Sequence, residues 1–77
     1  MNQEIEKWLA EHVTELGTEV RKEWVHMQSQ TSDPKPHHLL PYEELDGWNK
    51  SIDDMIGKAV ARFALQTYLN IRTETHD

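Results

Sequence analysis

Three ring-bearing residues, Trp24, Tyr42 and Trp48, bracket a segment that carries prolines and two histidines. Aromatic faces gathered around a turn are surfaces on which a nucleobase or a similar planar group can stack. Arg21, Lys35 and His38 supply donors that could meet a phosphate on such a guest, and His37 stands beside them. A helical wheel puts Glu23 on the core line between Val20 and Met27, and a buried carboxylate needs partners. Those partners would be a ligand, His37 or His38 on the functional reading, and an indole or backbone N–H on the structural one. The rings also have a purely structural reading, in which they close a small core against the loop.

Other chemistries find less support. Five histidines invite a metal, yet only His37 and His38 are adjacent, and that is not a spacing familiar zinc sites use. His12 falls within an apolar stripe and reads as structural, while His26 and His76 lack supporting neighbours. With no cysteine, disulfides and thiolate zinc sites are excluded. No metal and no cofactor are expected. Nucleophile-elbow, phosphate-cradling glycine, HExxH and EF-hand patterns are missing, so the chain reads as non-enzymatic, with a histidine-assisted hydrolase through His37 or His38 as a third alternative.

A formal net charge of −6 disfavours nucleic acid and anionic lipid, both of which demand a basic face. The start of the chain lacks a basic, then apolar, leader pattern, and no run is long enough to span a bilayer; the expected location is cytoplasmic.

These residues need helices to hold them. Ile5, Trp8, Leu9, His12, Val13, Leu16, Val20, Trp24 and Met27 recur every three or four positions, which predicts one helix of about seven turns with Asn2 as its N-cap. Gly17, at the rim of that stripe, reads equally as a site where another backbone comes close or as a tolerated glycine. Two prolines within 29–38 end the helix, Pro41 opens a predicted short helix over 41–45, and Asp46–Gly47 marks a turn. A second long helix is predicted from about 48 or 51 to 71, with Ser51 and Asp54 at capping-box spacing. On it, Trp48, Ile52, Met55, Ile56, Ala59 and Phe63 share one face; Val60, Ala64, Tyr68 and Ile71 form another. Two apolar faces exceed what one partner helix can cover, so the second is expected to pack against another subunit. The tail 73–77 is expected to fray.

The stretch His37-His38-Leu39-Leu40-Pro41-Tyr42-Glu43-Glu44-Leu45 resembles the central motif of the ryanodine-receptor repeat, the RyR domain, where a His-Pro-type segment leads into a Pro-Tyr-x-x-Leu short helix. Glu23-Trp24 is similar to the family's Glu-x-Trp region, and Ile52-Asp53 falls where the family has an acidic residue opening its last helix. The similarity covers residues 20–60. Arg21 stands where the family usually has histidine, Asp54 where it usually has arginine, and the loop lacks the family's Gly-Trp-x-Tyr-Gly segment. The resemblance implies a mostly helical repeat that pairs with a second copy. It also implies, by analogy with stand-alone bacterial and phage versions, sensing of a nucleotide-derived signal in defence.

The expectation is therefore a single all-α domain over 1–77, with two long amphipathic helices joined by a loop and a short helix, that self-associates and binds a small nucleotide-like molecule. Its ligand residues would be Trp24, Tyr42, Trp48, Arg21, Lys35, His37, His38 and Glu23. The alternative is a protein-interaction or structural module, such as a phage inhibitor of a host protein, acting through an exposed apolar helix face.

Overall fold

Asn2 opens the first helix as its residue type predicts: its side-chain oxygen accepts from the backbone N–H groups of Glu4 and Ile5 at 2.8 and 3.2 Å. The computed structural model describes residues 2–74, which are all-helical, with no strand among them. Helix α1 spans Gln3–Glu11, α2 spans Val13–Ser29 and α3 spans Gly47–Glu74. Between α2 and α3 lie two 3₁₀ turns, Pro36–Leu39 and Tyr42–Glu44.

The single helix of seven turns predicted at the N-terminus is instead two, jointed at His12. There the backbone leaves helical geometry (φ −117°, ψ 16°) and its N–H is shared between the carbonyls of Trp8 and Leu9. The imidazole stacks on the Trp8 indole, with centroids 4.1 Å apart, and Nδ1 donates to the Trp8 carbonyl at 2.8 Å. A side chain that competes for a helical carbonyl in this way bends the chain.

Two further expectations are corrected. The predicted helix over 41–45 is a 3₁₀ turn that begins one residue later, with Pro41 as its cap. The Asp46–Gly47 step is a helix start rather than a turn. Asp46 Oδ1 accepts from the Asn49 N–H at 2.8 Å, so α3 begins before Ser51, whose hydroxyl donates back to the Gly47 carbonyl. Of the tail expected to fray, Thr73 and Glu74 belong to α3, while 75–77 lie outside the described residues.

Helix α3 runs back antiparallel, first along α2 and then along α1, and two glycines set the distance. A Cβ on Gly57 would lie 2.9 Å from the Leu16 carbonyl oxygen and 3.0 Å from its carbon, so α3 meets the backbone of α2 there. A Cβ on Gly17 would collide with Asp54 Oδ1 and with the Tyr42 ring. Gly17 thus admits side chains, and it is Gly57 that admits a backbone. Farther along, Glu6 and Arg62 join α1 to α3 through paired hydrogen bonds of 2.7 and 2.9 Å.

This register decides which side of α3 points inward. Asp53 and Gly57 are buried, and Lys50, Asp54, Lys58, Ala61, Arg62 and Leu65 are half-buried beside them. The face that the sequence marks as most apolar is turned to solvent: Trp48 and Phe63 are each 74% exposed, Met55 67% and Val60 65%. Ala64, Tyr68 and Ile71 are exposed as well. Among the described residues the buried apolar core is Ile5, Leu9, Tyr42 and Leu45, and the whole body measures 54 × 25 × 13 Å. A thickness of 13 Å is one layer of helices.

Mid-helix Gly→Ala changes ordinarily stabilise by about 1 kcal/mol. Gly57→Ala is expected to do the reverse, losing on the order of 1–3 kcal/mol in urea unfolding because the Leu16 backbone must move. Gly47→Ala, with nothing within 4 Å of its new Cβ, serves as the neutral control.

Candidate functional site

Arg21 organises the loop. It lies one turn beyond Gly17, off the apolar stripe that a helical wheel marks on α2, and it is buried. Its Nε donates to the Leu40 carbonyl at 2.7 Å and its Nη2 to the His37 carbonyl at 3.1 Å. One guanidinium thereby clasps both ends of the Pro36–Leu39 turn. The carboxyl of Asp53 lies near enough for Arg21 to draw its pKa down, yet burial outweighs this and, with Asp54, pushes Asp53 up. Its Oδ2 is buried without a hydrogen-bond partner among the described residues. Alongside, the Tyr42 hydroxyl donates to Asp54 Oδ1 at 2.8 Å, which fixes the second turn to α3. Burial first, and then this bond, raise the phenol pKa.

Two concavities flank this clasp. One, of about 480 Å³, is lined by Trp24, His37, His38, Glu44 and Asp46 with Arg21 at its base. The His38 ring meets the Trp24 indole edge to face at 5.6 Å, and His37 lies 4.2 Å from His38. Burial, followed by the electrostatic effect of His37, Lys35 and Arg21, holds the His38 imidazole below its ordinary value. The other concavity, of about 390 Å³, runs past Tyr42, Lys22, His26, Leu39 and Pro41.

The structure thus brings Arg21, Trp24, His37 and His38 together, and it separates the other candidates from them. Tyr42 is buried against Gly17 and Asp54, and what remains exposed of it lines the second concavity and not the one beside Trp24. Trp48 belongs to the outward side of α3 and lines neither concavity beside the loop. Lys35 is exposed, its backbone capping the first turn. Glu23 is exposed too, because the bend at His12 and the Gly57 contact rotate the buried line of α2 onto Gly17 and Arg21. Among the described residues no three His, Asp or Glu side chains converge as a metal cage.

A second surface was only half visible in the sequence. The outward side of α3 carries Trp48, Ile52, Met55, Ile56, Ala59, Val60 and Phe63, all exposed. From Lys50 to Arg62, each charged residue of α3 is buried or half-buried on the opposite side. The amphipathic order of a surface helix is inverted. The residues 60, 64, 68 and 71 expected to meet another subunit are all exposed, but Val60 belongs to this stripe and Tyr68 lies toward α1 beside Leu65 and Leu69; the stripe itself, which would ordinarily be assigned to the core, is what sequence reasoning missed. The glycine at 57, opposite it on the wheel, was the available signal.

No family model matches the chain, and no match is found among curated proteins or solved structures. No helix among the described residues is long and apolar enough to cross a membrane.

Because the fold keeps the Asp53 proton to higher pH than the unfolded chain does, the folded state binds more protons between the ordinary aspartate value near 3.8 and the raised one. Stability from this group therefore falls as pH rises through that window. Asp53→Asn is expected to remove that slope, read as the difference between wild-type and variant urea midpoints from pH 3.5 to 7, in roughly half-unit steps. Arg21→Ala should lose on the order of 1–3 kcal/mol in urea unfolding at pH 7, because the Leu40 and His37 carbonyls lose their donor.

Proposed function

We propose that this protein is a non-enzymatic docking module whose working surface is the outward face of α3. The observation that carries this reading is the inverted helix: large apolar side chains face solvent and the charges face the hairpin. Contiguous exposed apolar surface on a small protein is the usual mark of an interaction site. A structural role or the masking of another protein's surface, as a phage inhibitor would do, both fall within this class. A cytoplasmic setting belongs to the same proposal.

A second reading keeps the small ligand. The concavity beside Trp24 presents one partly exposed indole face next to His37 and His38, enough to stack a single planar group. The resemblance to the ryanodine-receptor repeat supports a nucleotide-derived signal as that guest. The carboxylates of Glu44 and Asp46 on the same wall oppose a phosphate, and the Arg21 guanidinium already donates to two carbonyls. These facts rank ligand binding below docking.

The docking reading is tested with a photo-reactive benzophenone amino acid placed at Phe63 and, as control, at Glu15 on α2, in cells expressing the protein. Irradiation should yield a covalent adduct of higher mass from position 63 and not from 15. Silence at 63 removes the reading. For the ligand, cyclic dinucleotides titrated calorimetrically into about 100 μM protein, a concentration that reveals even weak affinity, should give heat that Trp24→Ala abolishes. Heat that persists in the variant, or none at all, eliminates the site.

A further inference from the structure

The chain exposes 6103 Å², whereas a folded monomer of its 9.1 kDa ordinarily exposes about 4,900 Å². Its radius of gyration is 15.6 Å against roughly 11.5 Å for a compact chain of this length. The surplus of about 1,200 Å² is more than the roughly 800 Å² that each partner contributes to a standard interface. Domains are built of at least two packed layers, and this chain supplies one, 13 Å thick.

We infer that the missing layer is a second copy of this chain, seated on α3 about a two-fold axis with the two α3 helices antiparallel. This rests on the docking reading and names its occupant. The choice of occupant follows from the stripe itself. An uncharged strip offers nothing to the charges of a dissimilar partner, but it matches its own copy, which brings the same uncharged strip and keeps its charges on the far side. A negatively charged bilayer is disfavoured by the net charge of −6.

The stripe also reads nearly the same in both directions from a midpoint between Met55 and Ile56. An aromatic stands at each end, Trp48 and Phe63; Ile52 and Ala59 lie inside them; Met55 and Ile56 occupy the centre. An antiparallel two-fold therefore brings Trp48 alongside the partner's Phe63, and Ile52 alongside the partner's Ala59, whose small side chain makes room for it. Two-fold interfaces of this kind are self-complementary by construction. Over about 23 Å of helix the seam needs no group that the other copy lacks.

Sedimentation equilibrium of the purified chain at about 20 μM should return twice the 9.1 kDa mass. Phe63→Glu should weaken self-association about 100-fold or more, as a charge buried in an apolar seam requires, with helicity by circular dichroism retained. Since the natural chain has no cysteine, single introductions report the geometry. Met55→Cys, beside the axis, should oxidise to a covalent dimer, and Trp48→Cys, far from it, should not. A wild-type chain that stays at monomer mass at about 100 μM overturns the inference. In that event a photo-adduct at position 63 in cells would leave the docking reading intact with a different partner. A dimer unaffected by Phe63→Glu, or one cross-linked through position 48 and not 55, also overturns it. Flotation of the monomer with anionic vesicles would assign the stripe to lipid instead.

Discussion

The contact between Gly57 and the backbone at Leu16 governs this structure. Helices pack at 8–10 Å when side chains separate them, and a glycine lets one backbone come closer. Once Gly57 is directed at α2, the rotation of α3 about its own axis is settled. Asp53 and Asp54 must then enter the interface, where the Tyr42 hydroxyl donates to Asp54 and the charge of Arg21 is felt by Asp53. The face on the opposite side, with its tryptophan, phenylalanine, methionine and isoleucines, has to look outward.

The same contact explains why the loop holds a defined shape although it lacks regular periodicity. Asp54, brought to Gly17, anchors the Tyr42 hydroxyl and so the second 3₁₀ turn. Arg21, on the same line of α2, holds the first turn through two carbonyls. Neither turn has a core of its own; both are tied to the hairpin by polar side chains working at its buried centre. Function and stability compete here, since the groups that resemble a ligand site are largely occupied in holding the loop. Arg21 is the clearest case, buried and already donating twice.

A single layer of helices with a core of four apolar residues is a small basis for an independent fold. The outward stripe of α3 offers what the core lacks, an extended apolar surface free of charge. Docking and folding are then two aspects of one surface, because whatever covers the stripe adds the second layer.

From the sequence, helicity, the Asn2 cap, the end of α2 before its prolines and a surplus of apolar surface on the second long helix were all legible, because they follow from period, residue type and near neighbours. The joint at His12 was not, since periodicity continues through it and the bend comes from an imidazole competing for the Trp8 carbonyl. Glu23 and Arg21 exchanged places for the same kind of reason: a wheel centred on the apolar residues of α2 cannot know that a glycine on the other helix sets the contact line. Tyr42 and Trp48 stand near the loop in sequence, yet the rotation of α3 buries one and exposes the other. Sequence alone determined that two faces of α3 are apolar. Only the tertiary structure decided which side turns inward, because a close approach between backbones is a property of pairs of helices and leaves no periodic trace in either.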